Sequence, residues 1–456
     1  MTETLCDERP LAFDDLVGAL AKGCKPRADF RIGSEHEKFV FHTADYTAVP
    51  YEPNGIHALL QGLTRYGWNP VTEHRPDGGE TLIALARSGA SVSLEPAGQF
   101  ELSGAPLETV HEVCGEIAAH LKEAKTVAGE LGVGFLSLGF APVWRREDTQ
   151  IMPKGRYQIM RDYMPKVGKL GLDMMLRTCT VQANLDFSSE ADMAAKFRLS
   201  LALQPLATAL FANSPFLEGK PSGLLSSRAN VWTDTDPDRT GMLGFVFEDG
   251  FGFDTYVRYA LDVPMYFVKR NGLYIDVAGQ SFRAFMEGKL PGLPGERPTL
   301  KDWEDHLSTI FPEVRLKTYL EMRGSDTGPP DRLCALAALW IGLLYDDAAM
   351  AAAWDLCKHW KVEDHERLRA DAARHGMRTM VAGRSLQDLA KDVLTIAREG
   401  LNRRNRLSGS MTNETGFLGP LDEIAESGIT PAERWLELYN GEWGGDISRV
   451  YEAAAY

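Results

Sequence analysis

Residues 30–41 read FRIGSEHEKFVF, an extended-looking segment whose middle is unexpectedly polar. Successive side chains along a strand point to opposite faces, so Glu35 and Glu37 share one face. Three other segments repeat the pattern. Arg177 to Phe187 alternates so that Gln182, Asn184 and Asp186 share a face, and Arg315 to Arg323 reads as one polar-faced strand with Glu321 and Arg323 on a side. In residues 93–101, SLEPAGQFE, the residues Glu95, Gln99 and Glu101 have one parity across a bend at Pro96-Ala97-Gly98. If these strands lie in one sheet, its face is crowded with carboxylates. Anions so placed raise one another's pKa values, and the arrangement makes sense around cations. An exposed face of an antiparallel sheet also alternates in this way, but four such segments together favour the cation reading. Oxygen donors without a thiolate or histidine cluster point to magnesium or manganese rather than zinc.

Around these strands the chain reads as helix wherever apolar residues recur at helical spacing. Leu107 to Leu131 is the clearest case, joined by Leu11 to Ala21, Ile56 to Tyr66, Asp192 to Phe211 and most of the chain from Asp331 to Ala397. Pro264 to Asp276 reads as a hairpin about Asn271-Gly272, and Lys220 to Arg239 as a long ordered loop whose Arg228 and Trp232 argue for function. Strands separated by helices, hairpins and long loops, without regular βαβ spacing, predict an α+β fold with an antiparallel or mixed sheet. No repeat or linker divides residues 1–456, which are read as a single catalytic domain.

Composition narrows the function. The 456 residues carry 49 Lys plus Arg against 64 Asp plus Glu, a net charge of −15, so no general grip on nucleic acid is expected. Any anionic substrate needs local arginines or bound cations, and Arg156, Arg228 and Arg323 lie in suitable polar contexts. The apolar run Leu333 to Tyr345 is too short for a bilayer, so no membrane partner is expected. Met1 to Phe13 lacks the pattern of a secretory signal. The six cysteines (Cys6, Cys24, Cys114, Cys179, Cys334 and Cys357) show no metal spacing. Both features predict a cytoplasmic protein with mostly free thiols. Nucleotide loops of the GxGxxG and GxxxxGK[ST] types are absent: Gly132-Val133-Gly134 is followed only by Gly139. ATP, if used, must be held through cations and a sheet.

The same segments resemble plant-type glutamate–cysteine ligase, the first enzyme of glutathione synthesis. The matching runs include SEHEKF at 34–39, SLEPAGQFELSGAPLET at 93–109, MPKGRY at 152–157, RTCTVQANLDFSSEADM at 177–193, WTDTDPDRTGM at 232–242, FPEVRLKTYLEMRG at 311–324 and TPAERWLELYNGEW at 430–443. The resemblance implies a curved antiparallel sheet surrounded by helices, related to glutamine synthetase. It implies that Glu35, Glu37, Glu95, Glu101, Gln182 and Glu321 are magnesium ligands, with Glu101, Glu321 and Arg323 acting in catalysis. Arg323, steadying the γ-phosphate, and Asn184 belong to the ATP side, Arg228 grips glutamate, and Arg156 lies among the substrate residues. The implied substrates are L-glutamate, L-cysteine and ATP. A monomer or weak homodimer is expected. Cys114 and Cys334 match one regulatory disulfide of plant members, whereas Val277 and Gly292 stand at the other pair's positions. No chloroplast transit peptide precedes the matching runs, implying a bacterial, cytosolic version. Two alternatives stay open: a ligase of this fold with another amine acceptor, and an inactive metal-binding regulatory relative.

Overall fold

The structure is a computed structural model that describes residues 9–456. Among them the largest sheet has nine strands: β1 (Ile32–His42), β2 (Asn69–His74), β3 (Glu80–Arg87), β4 (Ala90–Leu94), β5 (Phe100–Ser103), β6 (Val133–Leu136), β7 (Thr180–Leu185), β8 (Val314–Leu316) and β9 (Leu320–Asp326). Their order is β8-β9-β7-β1-β5-β4-β3-β2, with every neighbouring pair antiparallel and β6 beside the second half of β1. Long β1 is the hinge of this arrangement. Its first residues pair with β7, Glu35–Lys38 with β5, and Phe39–His42 with β6.

One sheet face is apolar and is covered by helices, among them α1 (Val110–Leu131), α3 (Glu190–Leu210) and α5 (Pro330–Leu344), with α6 (Leu386–Arg404) packed on α5, while α2 (Gly155–Tyr163) and the short α4 (Ser227–Val231) lie beside the polar face. Val181, Ala183 and Leu185 on β7 join the core that also contains Leu336 and Leu339. Thr109 starts α1 by accepting from Glu112 N at 3.1 Å while Glu112 accepts from Thr109 N at 2.9 Å, satisfying two end amides reciprocally. Where α5 crosses α6 the backbones nearly touch. A Cβ on Gly400 would sit 1.9 Å from Gly342 O, so only glycine permits the crossing. The Leu333 to Tyr345 run forms most of buried α5, and no single helix among the described residues is long and apolar enough to cross a membrane.

Two local expectations change, and one element had no expectation to meet. Arg315 to Arg323 is not one strand but the hairpin β8–β9, because the chain reverses at Lys317–Tyr319, where Lys317 N donates to Tyr319 O at 2.8 Å. The loop from Lys220 to Arg239 contains α4, capped by Ser226, which accepts from Ala229 N at 3.0 Å. Residues Gly171–Arg177 are helical and buried, a turn too short for periodicity to reveal.

Candidate active site

Register, invisible in sequence, assembles the polar face. Glu37 lies opposite Glu101, Glu35 opposite Gln182, and Glu321 opposite Asn184. Above them opens a cavity of 410 Å³ whose walls include Glu35, Glu37, Glu95, Glu101, Gln182, Arg156, Arg228 and Arg323. The bend after β4 brings Glu95 in, held by Gln99, whose side chain accepts from Ala97 N and donates to Met175 O and Thr178 O.

The four carboxylates on the wall resist ionisation together. Burial pushes Glu35 up to about 7, with Glu321 and Glu101 adding repulsion. Burial, then Glu95, lifts Glu101 to about 6, and burial with Glu95 and Glu101 raises Glu37 further. Burial raises Glu95 as well, opposed by Lys154, Arg156 and Arg323. Among the described residues no three acidic, histidine or cysteine side chains converge into a finished metal cage. The fit to a hard divalent cation therefore lies in donor chemistry and charge: several oxygen donors, little thiol or imidazole, and repulsion that a cation would relieve.

Two residues expected at the site lie elsewhere. Glu321 is fully buried and does not line the cavity. Arg315, brought opposite it by the hairpin, grips it at 2.7 and 2.9 Å, Lys317 stands at 3.2 Å, and Arg323 bonds to it as well. Burial alone would raise the Glu321 carboxyl, but these three cations hold it well below its ordinary range. Its oxygens thus face cations of the protein itself. Asn184 donates to Glu35 Oε1 at 2.7 Å and lines an adjoining cavity of 390 Å³, which shares Glu35, Ser103 and Tyr319 with the first.

The arginines are aimed inward. Arg323 donates to Gln182 Oε1 at 2.8 Å and borders the cavity. Arg228, only 3% exposed, donates to Arg323 O at 2.8 Å, while its Nε and Nη1 have no protein partner. Arg156 leaves Nε unpartnered and stacks over Phe267 at 5.5 Å. Trp232, Phe311 and Tyr157 supply apolar walls.

Sequence reading missed several contributors. Lys154 lines the cavity and donates to Leu94 O at 2.8 Å, and Glu73, 6% exposed, accepts from Gly155 N at 2.8 Å to fix the start of α2. Glu73 had no signal, being the single buried residue of β2. Arg315, Lys317 and Tyr319 did carry one, since they continue the odd-numbered parity of Glu321 and Arg323. On the opposite side of the sheet, Cys114 of α1 and Cys334 of α5 form a disulfide with Cα atoms 5.6 Å apart; Cys24, Cys179 and Cys357 are free, and Cys6 lies outside the described residues.

Comparison with known proteins finds relatives along nearly the whole chain. The pattern of glutamate–cysteine ligase family 2 matches residues 31–453. The chain is 56% identical over 455 residues to the chloroplastic glutamate–cysteine ligase of Arabidopsis thaliana, covering 100% of this chain and 85% of that one. It is 56% identical to the chloroplastic enzyme of Nicotiana tabacum, over 98% of this chain and 83% of that one. For chloroplastic glutamate–cysteine ligase B of Oryza sativa subsp. japonica the figures are 54%, 98% and 88%. The crystal structure of glutamate–cysteine ligase from Francisella tularensis in complex with AMP shares the fold, with a TM-score of 0.54, 12% identity and coverage of 93% of this chain and 88% of that one. The cytoplasmic placement expected from sequence does not stand beside these relatives, which match along the whole chain and are all named chloroplastic. The features behind that expectation, a missing secretory pattern and sparse cysteines, do not separate one reducing compartment from another. With the pattern matched along nearly the whole length and more than half of the residues identical to the plant enzymes, the chain belongs to glutamate–cysteine ligase family 2.

Proposed function

We propose that this chain ligates the γ-carboxylate of L-glutamate to the amine of L-cysteine with ATP, giving γ-glutamylcysteine, ADP and phosphate, the first step of glutathione synthesis. The observation that carries this reading is one cavity combining four carboxylates, Glu37 and Glu101 buried and Glu35 and Glu95 half-buried, with the arginines Arg156, Arg228 and Arg323 on its wall. A carboxylate is a poor electrophile until one oxygen becomes a leaving group. Transfer of the ATP γ-phosphoryl group to the glutamate γ-carboxylate supplies that leaving group, and the cysteine amine then displaces phosphate.

The residues divide the work. Arg228 offers its two unpartnered nitrogens, Nε and Nη1, to glutamate, and Arg156 offers Nε to a substrate beside Phe267. Arg323 meets charge developing on the phosphoryl group, aligned by Gln182 and Glu321. Magnesium or manganese, held by Glu35, Glu37, Glu95 and Glu101 with Gln182 beside them, would neutralise charge between the anionic reactants. Trp232 and Phe311 keep water from the acyl phosphate. The adjoining 390 Å³ cavity, with Asn184 on its wall, has room for the nucleoside part of ATP. The whole chain acts as one catalytic domain, and Cys114 with Cys334 is its redox pair.

Isotope transfer tests the mechanism. Glutamate carrying heavy oxygen in its γ-carboxylate should deliver one labelled oxygen to inorganic phosphate, with ADP as the nucleotide product. Labelled AMP, or unlabelled phosphate, would overturn phosphoryl transfer in favour of adenylation or direct condensation.

The raised carboxylates also predict how magnesium stabilises the protein. Glu35 near 7 and Glu101 near 6 bind a proton more tightly folded than unfolded, where the value is 4.5. Stability from these groups therefore falls as pH rises from about 4.5 to about 7. In chelator the melting temperature should drop from about pH 5 to about pH 7.5, and added magnesium should restore more at the higher pH. Equal restoration at both pH values would separate the ion from these two carboxylates.

A further inference from the structure

Asp326 ends β9, only a few residues beyond Glu321 and Arg323, yet it does not line the cavity and is 1% exposed. Its three hydrogen bonds all go to the two segments that flank Arg228. One oxygen accepts from Asn213 N at 2.8 Å and Ser214 Oγ at 2.6 Å, and the other accepts from Ser226 Oγ at 2.8 Å. Ser226 is the cap of α4, and Ser214 Oγ in turn accepts from Arg228 N at 3.3 Å. The carboxylate therefore pins the start of the short helix that carries Arg228.

Arg228 needs such an anchor. Among the described residues no carboxylate forms an ion pair with its guanidinium, whose one protein hydrogen bond goes to Arg323 O. A direct carboxylate partner would occupy the fork and remove the N–H groups left for a ligand. Asp326 supplies negative charge without touching the fork: burial pushes its carboxyl up, and the Arg228 charge is the first influence opposing that. A short helix has little stability of its own, so its position depends on these tertiary bonds.

The approach is tight enough to constrain a distant residue. A Cβ on Gly139 would stand 2.3 Å from Asp326 Cγ, so the glycine that completes no phosphate loop is instead the space the carboxylate fills. We propose that Asp326 is a positioning residue that sets the aim of Arg228 into the cavity, and that Gly139 is required to admit it. This rests on the reading of Arg228 as the arginine that grips glutamate.

Steady-state kinetics of the full chain with magnesium tests it, varying each substrate in turn for Asp326→Asn, the milder Ser214→Ala, and Arg228→Lys as reference. Asp326→Asn should raise the glutamate KM at least about tenfold and Ser214→Ala about threefold, with the ATP KM within about twofold and kcat within about threefold. Gly139→Ala should follow Asp326→Asn in direction. Should Asp326→Asn not fold, Ser214→Ala, which deletes one hydroxyl, decides on the same split. A raised glutamate KM in Arg228→Lys with none in Asp326→Asn and Ser214→Ala overturns the positioning role alone. An equal rise of all three KM values with a lowered melting temperature also overturns it, leaving a structural role. A glutamate KM unmoved in Arg228→Lys overturns the reading of Arg228 itself, and the inference with it.

Discussion

Glu101→Gln is expected to lower turnover at least about 100-fold while leaving the metal-free protein as stable as before, or more stable. The amide keeps the shape of the side chain and its contact with Ser93 Oγ, which lies 3.1 Å from the carboxylate. What disappears is one negative charge from a buried group that Glu95 and Glu321 already repel. Stability and activity should therefore move in opposite directions, a signature that general damage does not produce. Turnover at saturating substrates, the magnesium concentration for half activity, and melting in chelator measure the effect. Near-normal turnover with unchanged magnesium dependence would remove Glu101 from the cation-binding set. Glu321→Gln should cost a similar factor in turnover, but it should also destabilise. It leaves Arg315, Lys317 and Arg323 facing one another without their shared counter-charge.

Arg323→Lys should also reduce turnover by at least about 100-fold, with smaller changes in the KM values. The planar fork now bonds to Gln182 and Glu321 while bordering the cavity, so its orientation is fixed before substrate arrives. A lysine keeps the charge, yet it offers a single point and cannot bridge two phosphoryl oxygens. Most of the loss should appear in kcat, because the interaction strengthens as charge develops on the transferred group. A variant in which only the cysteine KM rises would place Arg323 on the acceptor side and overturn its assigned role.

How much of this was legible in the sequence follows from the range of the interactions concerned. Alternation along a strand is local, so the shared face of Glu35 with Glu37, and of Glu321 with Arg323, could be read directly from spacing. The hairpin about Asn271-Gly272 and the helix after Thr109 are likewise written in a few adjacent residues. Pairing is not local. That Glu37 meets Glu101, that Arg315 folds back onto Glu321, and that Cys114 meets Cys334 across 220 residues are settled only when strands and helices pack. Packing also decides charge: Glu321, alike in sequence to its neighbours, is held ionised by three cations, while burial and repulsion keep Glu35 near neutrality. The sequence alone determined which residue types share a strand face. The tertiary structure decided which of them face the cavity, which hold one another in place, and, through Asp326 and Gly139, how Arg228 is aimed, because burial and Coulomb energy depend on neighbours that chain order does not supply.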